Sequence, residues 1–535
     1  MLKLNRRTLM TGVATAALAT VLTGAPMRAI AEEPVRGGTL SVHMPQEQRT
    51  LNPALRASTG VYVIASKIME PLMDLDEQGA LVPMLATSWE GSEDGLTYTF
   101  KLREGVKWHD GTPFTSADVQ FTAMELWKKY QNYGTALHAN LVSVETPDDH
   151  TAVFTYSRPM PADLLFGAIP DLGYISPRHI YEGTDILANP ANVAPIGTGP
   201  FKFDQYERGQ YVIAVRNEDY WRAGFPYLDR IIWRFISDKA AAAAALESGQ
   251  VHMSNYSSLS LADMDRLSKD DRFEVSARGN TRQPFQNTVE FNNRRENLKD
   301  VRVRRAIIHA LDTDFFIENF LYGNGNRAQG PIPKASDKFF KEGRVDYEYD
   351  VDKANALLDE AGFERGGDGT RFELTMHVPP FGEDIPLWAT FVQQSLDAVG
   401  IKVRILNVDA ATYLKEVYGE WNFDLSTGWH IFRADPAIST MVWYRSGSPD
   451  GTAFTNQWGW TDPKADEMID AAASELDTEK RRAMYPDIVD RLNTELPIWM
   501  AIDRSFMSTT SEKVRNHHNN PRWPSSHWAD VWVVE

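Results

Sequence analysis

The chain has 535 residues, enough for three or four structural units, and its 55 basic against 73 acidic residues give a formal charge of −18. That balance disfavours nucleic acid and anionic lipid surfaces, both of which call for basic patches. An apolar share of 43% with 24% charged residues excludes disordered, collagen-like and coiled-coil classes, and the absence of Cys excludes disulfides, thiolate metal sites, thiol nucleophiles and a lipid anchor on an N-terminal Cys.

Residues 1–31 read as an export signal. Lys3, Arg6, Arg7 and Arg28 are its charges and it holds no acid. A mildly apolar run from Leu9 to Leu22 is too short to cross a bilayer. Ala29-Ile30-Ala31 is a small-x-small cleavage site. Asn5-Arg6-Arg7-Thr8-Leu9-Met10 resembles a twin-arginine signal, with Arg6 and Arg7 as the recognition pair. No later run is long and apolar enough to span a membrane, which predicts an exported, soluble mature protein.

In chain order, Thr39 to His43 alternates and predicts a first strand. Tyr98 to Leu102 alternates again. Asp110-Gly111 predicts a tight turn between aromatic segments. Thr115-Ser116-Ala117-Asp118 opens a helix reaching about Tyr130. Asp238 caps an Ala-rich helix, Lys239 to Ser248, closed by Gly249. Asp300 and Asp350 open two more, the second burying Leu357 and Leu358 and stopping at Gly362. Phe372 to His377 is a strand, Pro386 to Gly400 a helix and Ile401 to Leu406 a strand. That order implies a parallel pair with a right-handed crossover. Asp424 to Trp429 predicts a further strand, followed by helices over Pro463 to Leu476 and Glu479 to Asn493. No repeat and no low-complexity linker separates the units, which predicts domains interwoven through several crossings.

Few motifs suggest catalysis. His109-Asp110 fits a polar turn better than an acid/base pair. His517-His518 would place its rings on opposite faces of a strand, a poor metal site. The Gly-rich stretch 323–330 lacks the Gly-Lys-Ser/Thr ending of a phosphate loop and reads as a helix stop beside a hinge. Asp346, Asp350 and Asp352 lack the Gly and closing Glu of a calcium loop. No nucleophile elbow occurs. Neither a cofactor nor a metal is expected.

One block is specific. Leu81-Val82-Pro83-Met84-Leu85-Ala86-Thr87-Ser88-Trp89 leads into Tyr98 to Arg103 and then Gly105-Val106-Lys107-Trp108-His109-Asp110-Gly111-Thr112-Pro113-Phe114-Thr115-Ser116-Ala117-Asp118-Val119. With Glu70-Pro71-Leu72, Gly197-Thr198-Gly199-Pro200-Phe201, Asp300 to Ala306, Tyr349 to Ala354 and Leu496-Pro497-Ile498, it resembles the family 5 extracellular solute-binding proteins, the peptide and nickel binders of ABC importers. The resemblance spans nearly all of the chain after residue 31. It implies an α/β protein of the two-lobed periplasmic-binding type with a small extra domain in the first lobe. Lobe I would be 32–76 with 195–285 and 500–535, the extra domain 77–194, and lobe II 286–499. Trp108 and Asp110 would be structural. A periplasmic monomer is implied. It would take a peptide or another small polar solute, with an inner-membrane permease and ATPase complex as partner.

Open α/β sheets bind ligands beyond the carboxyl ends of strands, here near His43, His377 and Trp429. Peptide binders of that family carry an acid four residues before the Pro of an acid-Pro step, beyond a strand-end Trp, where it holds the peptide's ammonium group. The matching stretch is Trp429-His430-Ile431-Phe432-Arg433-Ala434-Asp435-Pro436. Phe432 stands at that position, and Asp435 belongs to the acid-Pro step. The Arg that dipeptide binders bring after the strand matching Phe372 to His377 is missing from Val378-Pro379-Pro380-Phe381. An aromatic cleft of Trp429, Phe432 and either Trp443 or Trp458 would stack on rings, with Arg433 fixing an anionic group. An oligosaccharide or opine-like ligand is therefore the alternative to a peptide, and a secreted glycan hydrolase a distant one. If Phe432 leaves the ammonium without a partner, Asp435 is the acid to take over.

Overall fold

Thr39–Met44 is buried along all but its first residue and lies between two parallel neighbours, Arg230–Phe235 and Met253–Ser254. It is the centre of a seven-stranded sheet in the computed structural model, which describes residues 33–342, 347–380, 382–447 and 453–534. The export-signal expectation with Arg6 and Arg7, and also Asp346 and Phe381, lie outside the described residues. The sheet runs Phe273–Ser276, Ser508–Ser511, Met253–Ser254, Thr39–Met44, Arg230–Phe235, Tyr211–Arg216, Phe201–Glu207. A second sheet of six strands runs Asn326–Arg327, Ile498–Arg504, Phe285–Phe291, Leu425–Ile431, Phe372–Val378, Ile401–Asn407. Phe372–Val378 and Ile401–Asn407 pair in parallel around the helix Asp384–Ala398, as the strand–helix–strand pattern predicts.

The chain passes between these two sheets twice, at 277–284 and at 505–507. A four-stranded antiparallel sheet of Ala86–Gly91, Thr97–Leu102, Thr151–Tyr156 and Leu141–Asp148 is inserted in sequence between strands Thr39–Met44 and Phe201–Glu207. The signature block sits there. Trp108 is buried, and its Nε1 donates to Asp118 Oδ2 at 3.3 Å. Thr115 and Asp118 form a capping box on Ser116–Phe121. Beyond Phe121 the helix widens into π geometry over Thr122–Trp127, which the sequence does not announce. His109 is no acid/base group. It is clamped between Gly197 N and Gly199 O. The Gly-Thr-Gly motif is there for close approach, since a Cβ on Gly197 would lie 1.7 Å from Ile68 O.

The expected aspartate caps form. Asp238, Asp300 and Asp350 accept from Ala241 N, Arg302 N and Lys353 N. Leu358 is fully buried, whereas Leu357 is only half-buried. His517-His518 departs from expectation. Asn516 and His518 have φ of 57° and 60°, so the segment turns instead of running as a strand. Both rings then face Glu274, at 2.9 and 3.2 Å. These three side chains are a metal-type cluster, their nearest ligand atoms all within 4.8 Å of one another.

Candidate ligand-binding site

Strand Phe285–Phe291 pairs antiparallel with Leu425–Ile431, setting Asn287 opposite Trp429 and Phe285 opposite Ile431. Side chains alternate along a strand, so Asn287, Phe285 and Trp429 share one face. Four rings line up from that face toward the seven-stranded sheet. Trp429 lies 5.1 Å from Phe285, Phe285 4.4 Å from Phe506, and Phe506 5.4 Å from Tyr256. Phe506 sits in the second crossing, and Tyr256 follows strand Met253–Ser254. The row therefore spans the junction where the chain changes sheets.

Asp384, in the first turn of its helix, fixes this wall. Its Oδ2 accepts from Asn287 Nδ2 at 2.8 Å, Trp429 Nε1 at 2.9 Å and Arg504 Nη1 at 2.6 Å. Arg504 lies 5.0 Å from the Phe285 ring, and Asp384 and Arg504 are both buried. Gly382 has φ of 65°, and a Cβ there would meet Trp429 Cζ2 at 2.2 Å, so only Gly lets this loop close on the indole.

Past the strand end the backbone continues one further step, with Phe432 N donating to Pro284 O at 2.9 Å. The next side chain, Arg433, reaches across to Tyr133 of the inserted segment, with the guanidinium 5.0 Å from the ring centroid. It is 8% exposed, and its Nε and Nη1 have no hydrogen-bond partner. Ala434 is held at φ of 27° and Asp435 N contacts Arg433 O, so the loop turns sharply here.

Other expected site residues are placed differently. Asp435 is no ligand acid: both its oxygens are taken by Arg481, at 2.7 and 2.6 Å, and it caps Pro436–Ile438. Phe432 is 3% exposed and packs in a core with Trp443, Tyr444, Trp458 and Trp460, which corrects the expectation of a stacking surface. One edge of Phe432 reaches a groove of about 240 Å³ also lined by Gln78, Arg282, Phe339 and Pro521. Trp443 and Trp458 are core as well, with Trp458 Nε1 donating to Trp443 O at 2.8 Å. His43 is buried between Ser254 Oγ at 2.8 Å and Ile236 O at 2.9 Å, and burial pulls its pKa below the ordinary histidine value. His377 is buried against Glu416 at 2.6 Å and level with Ser426, short of Trp429. Trp429 and Arg433 thus stand at the junction, while His43, His377, Phe432 and Asp435 have structural partners.

The sequence reading missed Asp384, Arg504, Phe285, Phe506 and Tyr133. None lies in a motif. Asp384 reads as an ordinary helix-start acid, and only three-dimensional pairing brings residues from four chain segments together.

The family of bacterial extracellular solute-binding proteins, family 5 Middle, matches this chain over residues 80–452. A Brucella ovis protein named as an ABC transporter peptide-binding protein is 34% identical over 478 residues, covering 85% of each chain. The glutathione-binding protein GsiB of Pectobacterium atrosepticum is 29% identical over 472 residues, covering 86% of this chain and 87% of its own. Among solved structures, the oligopeptide-binding protein AppA of Bacillus subtilis, in complex with a nonapeptide, superposes with a TM-score of 0.77 at 25% identity. It covers 94% of this chain and all of its own.

Proposed function

Because the chain belongs to the family 5 bacterial extracellular solute-binding proteins, we propose that it is the periplasmic substrate-binding component of an ABC importer and takes a peptide-type solute. The observation that carries this is the family match over residues 80–452. The solute would bind at the aromatic row of Trp429, Phe285, Phe506 and Tyr256 and pass to an inner-membrane permease without chemical change. Residues 1–31 would direct export through the twin-arginine route. No helix among the described residues is long and apolar enough to cross a membrane.

The proposed lobes are 32–76 with 195–284 and 505–535, and 285–504, with the extra domain at 77–194. The expected boundaries at 285 and 500 shift to the two crossings because Phe285–Phe291 and Ile498–Arg504 both pair inside the six-stranded sheet. Two crossings between the sheets suit a hinge.

Thermal-shift measurement with Ala-Ala-Ala, glutathione and maltotriose tests the reading. A ligand at about 100 times its dissociation constant stabilises by about 2.7 kcal/mol. Stabilisation by a peptide supports it. Stabilisation by maltotriose alone, or turnover of a glycan, overturns it.

A further inference from the structure

We propose that Arg433 anchors a carboxylate of the bound solute. This rests on the peptide-type reading above and names the end by which the solute is held.

The first observation is an unmatched cation. Arg433 is more than nine-tenths buried, two of its three nitrogens lack partners, and no carboxylate among the described residues pairs with it. Arginine does not shed its proton to escape burial. An isolated buried ion costs several kcal/mol, so a solvent-shielded guanidinium of this kind needs an anion.

The second observation is the charge around it. Tyr133 faces the guanidinium, and Tyr62, whose hydroxyl donates to Asp171 O at 2.6 Å, packs on Tyr174. The nearby acid, Asp171, is taken by Arg282 at 3.2 Å and Arg522 at 3.4 Å. Arg522 also pairs with Asp74 at 2.9 Å. Lys67 lies behind, buried over the Trp528 ring. Three guanidiniums therefore share two carboxylates, and Arg433, hydrogen-bonded to Tyr133 and attracted by Asp171 only at longer range, is the one without a carboxylate contact.

The third observation concerns the acids of the junction. Asp384 Oδ2 is occupied by Asn287, Trp429 and Arg504, and both oxygens of Asp435 by Arg481. With Asp171 also paired, each of these acids already has a cation of its own and none of the three is left for Arg433. A solute carboxylate at Arg433 would find a cation waiting.

Titration calorimetry with Ala-Ala-Ala and its C-terminal amide provides the test. The wild type should bind the acid at least about tenfold more tightly than the amide. Arg433→Gln should abolish the difference between acid and amide. Ligand-free Arg433→Met should melt at or above the wild type, because it removes an unpaired buried charge. Equal binding of acid and amide would overturn the anchor and leave the peptide reading standing, as would a clear loss of stability in Arg433→Met. If no peptide binds, the peptide reading falls and glutarate decides the anchor. Glutarate raising the melting temperature of the wild type but not of Arg433→Gln supports it. No effect on either protein defeats it.

Discussion

Arg481 grips Asp435 through both carboxylate oxygens, with the two side chains 0% and 2% exposed. The planar guanidinium matches the carboxylate fork on fork. Tyr485 hydroxyl lies 2.9 Å from Nη2, and Asp163 Oδ2 lies 3.1 Å from Nη1. Removing one member leaves the other charged and buried. Asp435→Ala should therefore cost about 3–5 kcal/mol of stability, and Asp435→Leu with Arg481→Met should recover most of it. Urea unfolding of the single and double variants measures this. Wild-type stability in Asp435→Ala would mean that the pair is not what holds the loop.

Trp429 contributes a ring and a hydrogen bond, and the two separate by substitution. Trp429→Phe keeps a ring and loses the bond to Asp384, which should cost about 1 kcal/mol in binding. Trp429→Ala loses the wall itself and should cost about 2–3 kcal/mol. Calorimetry with Ala-Ala-Ala on both variants checks the order. Equal losses would remove the indole face from the binding surface.

Local signals were legible where the chemistry is local. Asp238, Asp300 and Asp350 each cap the helix that follows because the acceptor and the free N–H lie within three residues. The Phe372–Ile401 parallel pair follows from a strand–helix–strand order that allows little else. The site was legible only in part. Trp429 and Arg433 lie at a strand end whose position the pattern marks. Asp435 looked available because its partner Arg481 is 46 residues away in sequence. Phe432 and Trp458 looked like ligand surface because a buried aromatic and a stacking one have the same sequence signature. The pairing of His517 with His518 depended on two positive φ angles at non-glycine residues, which no periodicity announces.

Among the described residues, two ion pairs tie the six-stranded side to the rest of the molecule. Lys239 Nζ lies 2.6 Å from Glu383, and Arg481 lies 3.1 Å from Asp163 in the inserted segment. If the hinge opens between solutes, these contacts stabilise the closed form. Asp163→Asn with Glu383→Gln should weaken peptide binding by about 1 kcal/mol in all, the first pair being half-exposed and worth little. Small-angle scattering should show a larger ligand-free radius of gyration in the double variant than in the wild type. Identical radii would place both pairs outside the closing motion.

The export proposal predicts that Arg6→Lys with Arg7→Lys leaves full-length precursor in the cytoplasm. Fractionation and immunoblotting would show it. Normal export of that variant would exclude the twin-arginine route.

Glu290 lies on the opposite face of its strand from Trp429 and is fully buried. Its Oε1 accepts from Thr288 Oγ1 at 2.9 Å, and its Oε2 has no partner. Burial is the largest influence on it and raises its pKa to about 7, against the lowering effect of Thr288, Ser426 and Tyr413. An unfolded glutamate titrates near 4.3. Between those values the native state holds a proton that the unfolded state has released, so stability falls as pH rises through the window and levels off above about 7. Glu290→Gln carries no titrating group and should escape that loss. Its stability relative to the wild type should be unchanged near pH 4 and should rise to an advantage of at most about 4 kcal/mol near pH 8. Denaturant unfolding of both proteins across that range measures the difference. An offset that does not vary with pH would show that Glu290 is already ionised in the folded protein, and that its hydroxyl neighbours outweigh its burial.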